Sequence, residues 1–142
     1  GGNGYVEESI LPRLYREAPV NAIWEGSGNV ICLDVLRSLV RQPETADALR
    51  AEFAAARGGD RRLDAFASAL EDDLARPDEA GARHLVERLA LAFGASLLVR
   101  HAPEPVADAF CAARLGDNAG LAFGALPPGT AFEDVLARAW PA

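Results

Sequence analysis

The sequence predicts an all-α protein, a helical bundle, and three observations lead to that fold class. Apolar residues recur at helical spacing in nearly every segment, and glycine or proline separates the segments. No stretch alternates apolar and polar residues for long enough to predict a strand. With 142 residues, half of them apolar, the chain is long enough to bury a core.

The predicted helices follow one another closely along the chain. A short turn of helix is expected within 6–17, and longer helices are expected over 29–41, 43–57, 60–75, 78–101, 104–115 and 130–140. Gly58 and Gly59 are expected to end one helix, and Asp60 to cap the next. Thr130 and Glu133 fit a capping box before the last helix, and segment 116–129 is predicted to be a loop.

Apolar stripes mark the helix faces that are expected to be buried, because residues three or four apart share one face. The stripes consist of Val30, Leu33, Leu36 and Val40; of Leu63, Phe66, Ala67, Leu70 and Leu74; of Leu85, Leu89, Phe93 and Leu97; and of Phe132, Val135, Leu136, Ala139 and Trp140. The first of these stripes is wide and predicts a well-buried helix.

The charge of the chain limits its partners. All 14 basic residues are arginine, and 21 acidic residues bring the net charge to −7. This balance argues against strong autonomous binding to nucleic acid or to an anionic membrane. No apolar run approaches the ~18 residues of a membrane span, so no membrane association is expected.

The thiols and the chain start suggest a reducing compartment. Cys32 and Cys111 are expected to be buried and reduced rather than bridged, and no signal peptide is visible, so a cytoplasmic location is predicted. No Cys, His and Asp cluster has metal-ligand spacing, so no metal site is expected. The loop-like start without an initiator Met suggests a piece of a longer protein.

Composition changes near Pro43. Residues 1–42 hold both tyrosines, Trp24 and clustered glycines, whereas residues 43–142 are plain Ala, Leu, Arg and Glu helices. We therefore expect a functional segment, 1–42, followed by a helical extension, 43–142.

The candidate site is the run Ile-Trp-Glu-Gly-Ser-Gly-Asn at 23–29. Apolar neighbours such as Trp24 would desolvate Glu25 and make it a stronger base. Gly26 would let a substrate approach the backbone.

The residues after Gly26 have two open interpretations. Ser27 and Asn29, at a helix start, can donate hydrogen bonds to phosphate or ribose, because a helix N-terminus favours anions. Alternatively, Ser27 or Asn29 caps the helix and Glu25 is a first-turn acid.

Three motifs in the first segment carry a resemblance to a known family. They read Gly1-Gly2-Asn3-Gly4-Tyr5, then Leu14-Tyr15-Arg16-Glu17-Ala18, then Ile23-Trp24-Glu25-Gly26-Ser27. Over about residues 1–41 they resemble the C-terminal part of the acyl-CoA dehydrogenase family, which reads GGxGY, an R-L-Y-R-D-A-like run and I-Y-E-G-T. Trp before the Glu, and Ser-Gly-Asn after the Gly, are most similar to the AidB-like branch, flavoproteins linked to the alkylation-damage response that carry an extra helical C-terminal region.

The resemblance implies a role for each matching position. Glu25 matches the base that removes the α-proton of an acyl-CoA while hydride leaves for FAD, and Trp24 and Gly26 fall at the substrate. The positions that match FAD contacts are Gly1, Gly2, Ser27, Gly28 and Asn29. Ser27 replaces the family's Thr and keeps its hydroxyl, whereas Asn29 replaces Gln and is shorter by one methylene.

The resemblance also implies how the chain is organised. Residues 1–42 match the end of the C-terminal dehydrogenase domain, and 43–142 have a suitable length for the extra helical region. An isolated chain of this kind is expected to be inactive and not to retain FAD, because the other domains of the family supply most of the cofactor and acyl-CoA walls. The family also implies a homo-oligomer.

A DNA-associated function is the alternative. The arginines that could form a basic patch on the helical extension are Arg50, Arg57, Arg61 and Arg62. In this alternative they contact phosphate, and the extension is a binding or oligomerisation module. Their other expected partners are the carboxylates of Glu52, Asp60 and Asp64, and the net charge favours that pairing.

The first segment is expected to be poorly fixed by its own contacts. Residues 43–142 carry stripes that can close on each other, whereas residues 1–28 carry few apolar residues. The apolar side chains expected to be exposed there are Tyr5, Ile10, Leu14, Tyr15, Ile23 and Trp24. Such a patch favours self-association.

Overall fold

The computed structural model describes residues 1–116, 124 and 126–140. Across these residues the chain is all-α, as predicted, with no strand. The helices are α1 (Leu11–Glu17), α2 (Gly28–Arg41), α3 (Pro43–Ala56), α4 (Arg61–Ala75), α5 (Ala82–His101), α6 (Glu104–Arg114) and α7 (Phe132–Ala139). Two short 3₁₀ turns, Gly2–Gly4 and Ala18–Ala22, flank α1.

The predicted helices are present, and the differences lie at their starts. Helix α5 begins at Ala82 rather than at 78, after a turn in which the Ala82 N–H donates to the Glu79 carbonyl. The capping box predicted at Thr130 is wrong: its hydroxyl donates to the Pro127 carbonyl at 2.7 Å, and Ala131 holds the N-cap position. The loop predicted over 116–129 lies partly outside the described residues.

Helix α5 is the centre of the bundle, with α2, α3, α4 and α6 packed around it. The middle of α5 consists of small residues, and Ala92, Ala95 and Ser96 are completely buried. Small side chains let neighbouring helices approach closely, since the interaxial distance depends on the residues at the contact.

The apolar stripe predicted along α5 is only half correct. Leu85 and Leu89 are buried, but Phe93 and Leu97 are 42% and 38% exposed. The buried face of α5 instead contains Ala92, Ala95 and Ser96, because closely packed helices require small residues at their contacts.

Two other helices expose apolar residues that the sequence predicted to be buried. Helix α2 buries Cys32, Leu36 and Leu39, but leaves Val30 and Val40 more than half exposed. Helix α7 buries none of its residues against the described chain. Both helices therefore have an uncovered apolar face.

The tight connection between α3 and α4 depends on two glycines. Gly58 has a left-handed φ of +84°, which ends α3 as predicted. Gly59 lies against α5, so that a Cβ at this position would be 2.3 Å from Cγ1 of Val99. Asp60 then caps α4, as predicted, by accepting from the backbone N–H of Arg62 at 2.7 Å.

A partly buried polar contact connects α3 to α5. The Ser96 hydroxyl donates to Oε1 of Glu52 at 2.8 Å, and Nη1 of Arg100 donates to the same oxygen at 2.5 Å. The hydrogen bond from Arg100, followed by that from Ser96, lowers the pKa of the Glu52 carboxyl. The fully buried hydroxyl of Ser96 is thereby satisfied.

Both cysteines are buried and unbridged, which confirms the prediction made for them. Burial is the main reason that the pKa of the Cys111 thiol rises to about 11, and the nearby charge of Asp60 adds to it. None of the described helices is both long enough and apolar enough to cross a membrane. Within the described ranges no cluster of three His, Cys, Asp or Glu side chains could hold a metal ion.

Residues 1–27, which precede α2, lie outside the core cluster. Both 3₁₀ turns contact α1, and the six apolar side chains predicted to be exposed there are 55% to 86% exposed. The core itself includes α2 and so runs across the composition change near Pro43. The division into units 1–42 and 43–142 stays a prediction.

Candidate active site

The candidate site is a turn between the 3₁₀ turn Ala18–Ala22 and the start of α2. Two backbone hydrogen bonds close it: the Trp24 N–H donates to the Val20 carbonyl at 3.0 Å, and the Gly26 N–H to the Ile23 carbonyl at 3.3 Å. The chain then extends at Ser27 and enters α2. Trp24, Glu25 and Gly26 are thus presented just before a helix N-terminus.

The backbone of this turn is strained at Glu25. Its φ is +62°, the left-handed conformation, and no other non-glycine residue in the described chain has a positive φ. That conformation costs a residue with a Cβ about 1 kcal/mol or more. Gly26 follows at +126°, where glycine is strongly favoured. Strain of this kind is concentrated at functional sites, which supports a special role for Glu25.

The expectation that apolar neighbours desolvate Glu25 is wrong for the chain by itself. Glu25 is exposed, and the Trp24 side chain beside it is 60% exposed. Desolvation of the carboxylate therefore requires a second surface over it.

The capping interpretation of Ser27 and Asn29 is only partly right. Ser27 occupies the N-cap position, but its side chain makes no capping hydrogen bond. Glu25 lies outside the helix rather than in its first turn. The first helical bond runs from the Ile31 N–H to the Ser27 carbonyl, so the N–H groups of Gly28, Asn29 and Val30 have no helical acceptor.

Asn29 has a partner that the sequence did not indicate. Nη1 of Arg83, in the first turn of α5, donates to Oδ1 of Asn29 at 3.0 Å. The guanidinium also lies against Gly28, where a Cβ would come within 2.6 Å of Nη1. Arg83 lies 54 residues further along the chain, in a segment whose composition is ordinary for a helix, so no sequence signal distinguished it.

The two glycines at the chain start are not joined to this turn by a hydrogen bond between described residues. Gly2 begins the first 3₁₀ turn and Gly1 precedes it as the N-cap residue, whose carbonyl accepts from the Gly4 N–H at 2.9 Å. Gly4 rests on Tyr15 of α1, because a Cβ there would be 3.8 Å from Cβ of Tyr15. Their predicted contact with FAD stays a prediction.

The arginines considered as a basic patch are partly neutralised. Arg50 pairs with Asp47 and Glu71, and the hydrogen bond that Arg50 donates to Glu71 is the main cause that raises the pKa of Arg50. Arg62 pairs with Asp60 and Asp108.

The partners of these arginines only partly match the expected set. Asp60 is one of the three expected carboxylates. Glu52 instead binds Arg100, and Asp64 accepts from the Gly58 N–H. An open groove of about 910 Å³ lies beside Arg61 and Arg62. None of the residues 23–29 lines this groove, so it is not part of the candidate site.

The polar groups around the start of α2 suit an acceptor-rich ligand. The Ser27 hydroxyl, the free N–H groups of the first helical turn and the Asn29 amine can all donate, and Arg83 adds a positive charge beside them. FAD carries a pyrophosphate, hydroxyls and ring carbonyls, all of which accept hydrogen bonds. The residues present therefore fit a group of that chemistry.

Comparison with known proteins assigns the first segment to a family. Residues 1–40 match the family model described as acyl-CoA dehydrogenase, C-terminal domain. This match and the all-α fold define the class that the three motifs predicted: the helical C-terminal domain of the acyl-CoA dehydrogenase family.

Two relatives narrow the class further. The chain is 44% identical over 121 residues, 85% of its length, to "Putative acyl-CoA dehydrogenase AidB" of Escherichia coli (strain K12). It is 60% identical over 37 residues, 26% of its length, to "Acyl-CoA dehydrogenase family member 11" of Caenorhabditis elegans. The chain is therefore AidB-like. It spans 22% of the first relative and 6% of the second.

Proposed function

We propose that this chain is the C-terminal part of an FAD-dependent acyl-CoA dehydrogenase-like flavoprotein in which Glu25 is the catalytic base. The observation that carries the proposal is the strained Glu25-Gly26 turn directly before the N-terminus of α2. The match of residues 1–40 to the dehydrogenase C-terminal domain supports it. By itself the chain is expected to be inactive, because its own residues leave Glu25 exposed.

The proposed reaction is the α,β-dehydrogenation of an acyl-CoA. The Glu25 carboxylate takes the proton from the α-carbon, a hydride leaves the β-carbon, and the electrons of the broken α-C–H bond form the double bond. FAD, when bound, supplies the acceptor for that hydride. Gly26 leaves room for the thioester beside the backbone. Trp24 supplies one apolar side of the site, and water is excluded from the carboxylate once a second surface covers the turn.

The donors at the start of α2 are the proposed contacts to the cofactor. Ser27, Gly28 and Asn29 would donate to its acceptor groups, and Gly1 and Gly2 are proposed to contact it from the first 3₁₀ turn. Trp24 and the other exposed apolar residues of the first segment are proposed to be covered by the other domains or by a second subunit. A cytoplasmic location, compatible with two reduced thiols, is part of the proposal.

The test is Glu25→Gln in the full-length protein. The amide keeps the shape of the side chain but cannot accept the proton, so FAD binding should persist while flavin reduction by an acyl-CoA slows by about a hundredfold or more. Bleaching of the oxidised flavin, followed by stopped-flow absorbance, measures the rate.

Glu8→Gln is the matched control, since Glu8 is also an exposed carboxylate of the first segment. The proposal is wrong if the unaltered protein holds no flavin, or if Glu25→Gln reduces its flavin as fast as the control does.

The DNA-associated alternative receives no support from the described surface. Arg50 and Arg62 already have carboxylate partners, and the net charge of −7 opposes binding to phosphate. A fluorescently labelled duplex titrated with the chain at physiological salt tests it. Salt-dependent binding would revive the alternative.

A further inference from the structure

The contact between Arg83 and Asn29 joins the helical extension to the segment that carries the candidate site. Arg83 lies in the first turn of the central helix α5, whereas Asn29 lies in the first turn of α2, directly after the turn that carries Glu25. The hydrogen bond is 3.0 Å long and connects side chains that are 54 residues apart. We infer that Arg83 is a positioning residue for Asn29, which it orients as a hydrogen-bond donor toward FAD. This inference rests on the proposed function.

The chemistry of the two side chains determines that orientation. A guanidinium has only donors, whereas an amide has an oxygen that accepts and an amine that donates. Because Oδ1 of Asn29 accepts from Arg83, the Nδ2 amine of Asn29 lies on the side of the amide group away from Arg83. Asn29 therefore presents a donor to an incoming ligand, and the acceptor-rich groups of FAD are complementary to it.

Gly28 makes this arrangement possible. The guanidinium of Arg83 occupies the space in which a side chain at position 28 would begin, with Nη1 only 2.6 Å from an ideal Cβ. Any larger residue at 28 would displace Arg83 from Asn29. The absence of a side chain at Gly28 thus serves the contact with Arg83 as well as an approach by the cofactor.

A double-mutant cycle in the full-length protein tests the inference, with the FAD dissociation constant measured by flavin fluorescence. Arg83→Gln is expected to weaken FAD binding about threefold to tenfold, because the amide of Asn29 is then free to turn. In an Asn29→Ala background the same change should have no further effect. Arg83→Lys, which keeps a charged donor, should restore part of the affinity.

Arg41→Gln is the control for charge alone. Arg41 is an exposed arginine at the far end of α2, and its side chain has no ion pair with the described residues. Its loss should change FAD affinity less than twofold. If Arg83→Gln behaves like this control, or if the effects of Arg83→Gln and Asn29→Ala multiply, the positioning role is refuted.

Asn29→Asp separates a positioning role from a merely structural one. The carboxylate of this variant still pairs with Arg83, so the melting temperature of the apoprotein should not fall. The carboxylate has no amine to donate, however, and it repels a phosphate. FAD binding should therefore weaken about tenfold or more while stability is kept. Unchanged FAD affinity of this variant would overturn the inference, whereas a wild-type protein without flavin would refute the proposed function.

Discussion

Replacement of Gly59 by alanine should destabilise the bundle more than the same change at its neighbour, Gly58. The two residues share one connection but differ in what surrounds them. A Cβ at Gly59 would lie 2.3 Å from Cγ1 of Val99 and 3.1 Å from the Ala56 carbonyl, whereas a Cβ at Gly58 would meet nothing within 4 Å.

The expected magnitudes follow from those distances. Carbon atoms pack best at roughly 3.5–4.0 Å, so at Gly59 the α3–α4 connection has to move away from α5 by more than about 1 Å. Overpacking of that kind costs roughly 2–3 kcal/mol. At Gly58 only the left-handed φ of +84° opposes alanine, which costs about 1 kcal/mol. The loss of unfolded-state entropy is the same for both variants and cancels in the comparison.

Urea unfolding followed by circular dichroism measures both variants. Gly59→Ala should be less stable than Gly58→Ala by about 1–2 kcal/mol. Val99→Ala should restore part of that loss in the Gly59→Ala background but not in the Gly58→Ala background. Equal stability of the two single variants, or no rescue by Val99→Ala, would refute the packing argument.

Three further predictions concern charge, order and thiol reactivity. The hydrogen bond from Arg62 lowers the pKa of Asp60 in the folded protein. The ionised carboxylate therefore stabilises the fold fully above its ordinary pKa of 3.8, and this contribution is lost as pH falls through the lowered pKa. Asp60→Asn should lower the free energy of unfolding by about 1 kcal/mol at pH 7 and leave it unchanged in strong acid, as measured by urea unfolding. Amides of 1–28 should exchange hydrogen faster than those of 85–97 in a dilute monomer, and equal protection would contradict a loosely held first segment. Native Cys111, with a thiol pKa of about 11, should resist iodoacetamide at neutral pH and react only after unfolding, as mass spectrometry would detect.

Helix positions could be predicted from the sequence because their local signals are strong. The cap at Asp60 and the helix end at Gly58 are properties of a few neighbouring residues, and both are present as predicted. The buried faces were harder to predict. On α5 the core side holds Ala92, Ala95 and Ser96, since four helices converge there, and periodicity of large apolar residues cannot reveal such a requirement.

The candidate site was predictable only as a run of residues. The motif around Glu25 located the turn, but the strained φ of Glu25 and the donation from Arg83 depend on the folded chain. Desolvation of Glu25 failed as an expectation because apolar neighbours in sequence, such as Trp24, do not cover the carboxylate here.

Helix α2 carries the turn at its N-terminus, ahead of its first core contact. That contact is Cys32, four residues from Gly28, roughly 6 Å along the helix axis. A tilt of about 10° about Cys32 therefore moves the helix N-terminus by about 1 Å, a displacement that can slow a well-aligned reaction by about a hundredfold. If Glu25 is the base that we propose, substitutions at the buried positions of α2 would then alter its reaction without touching it.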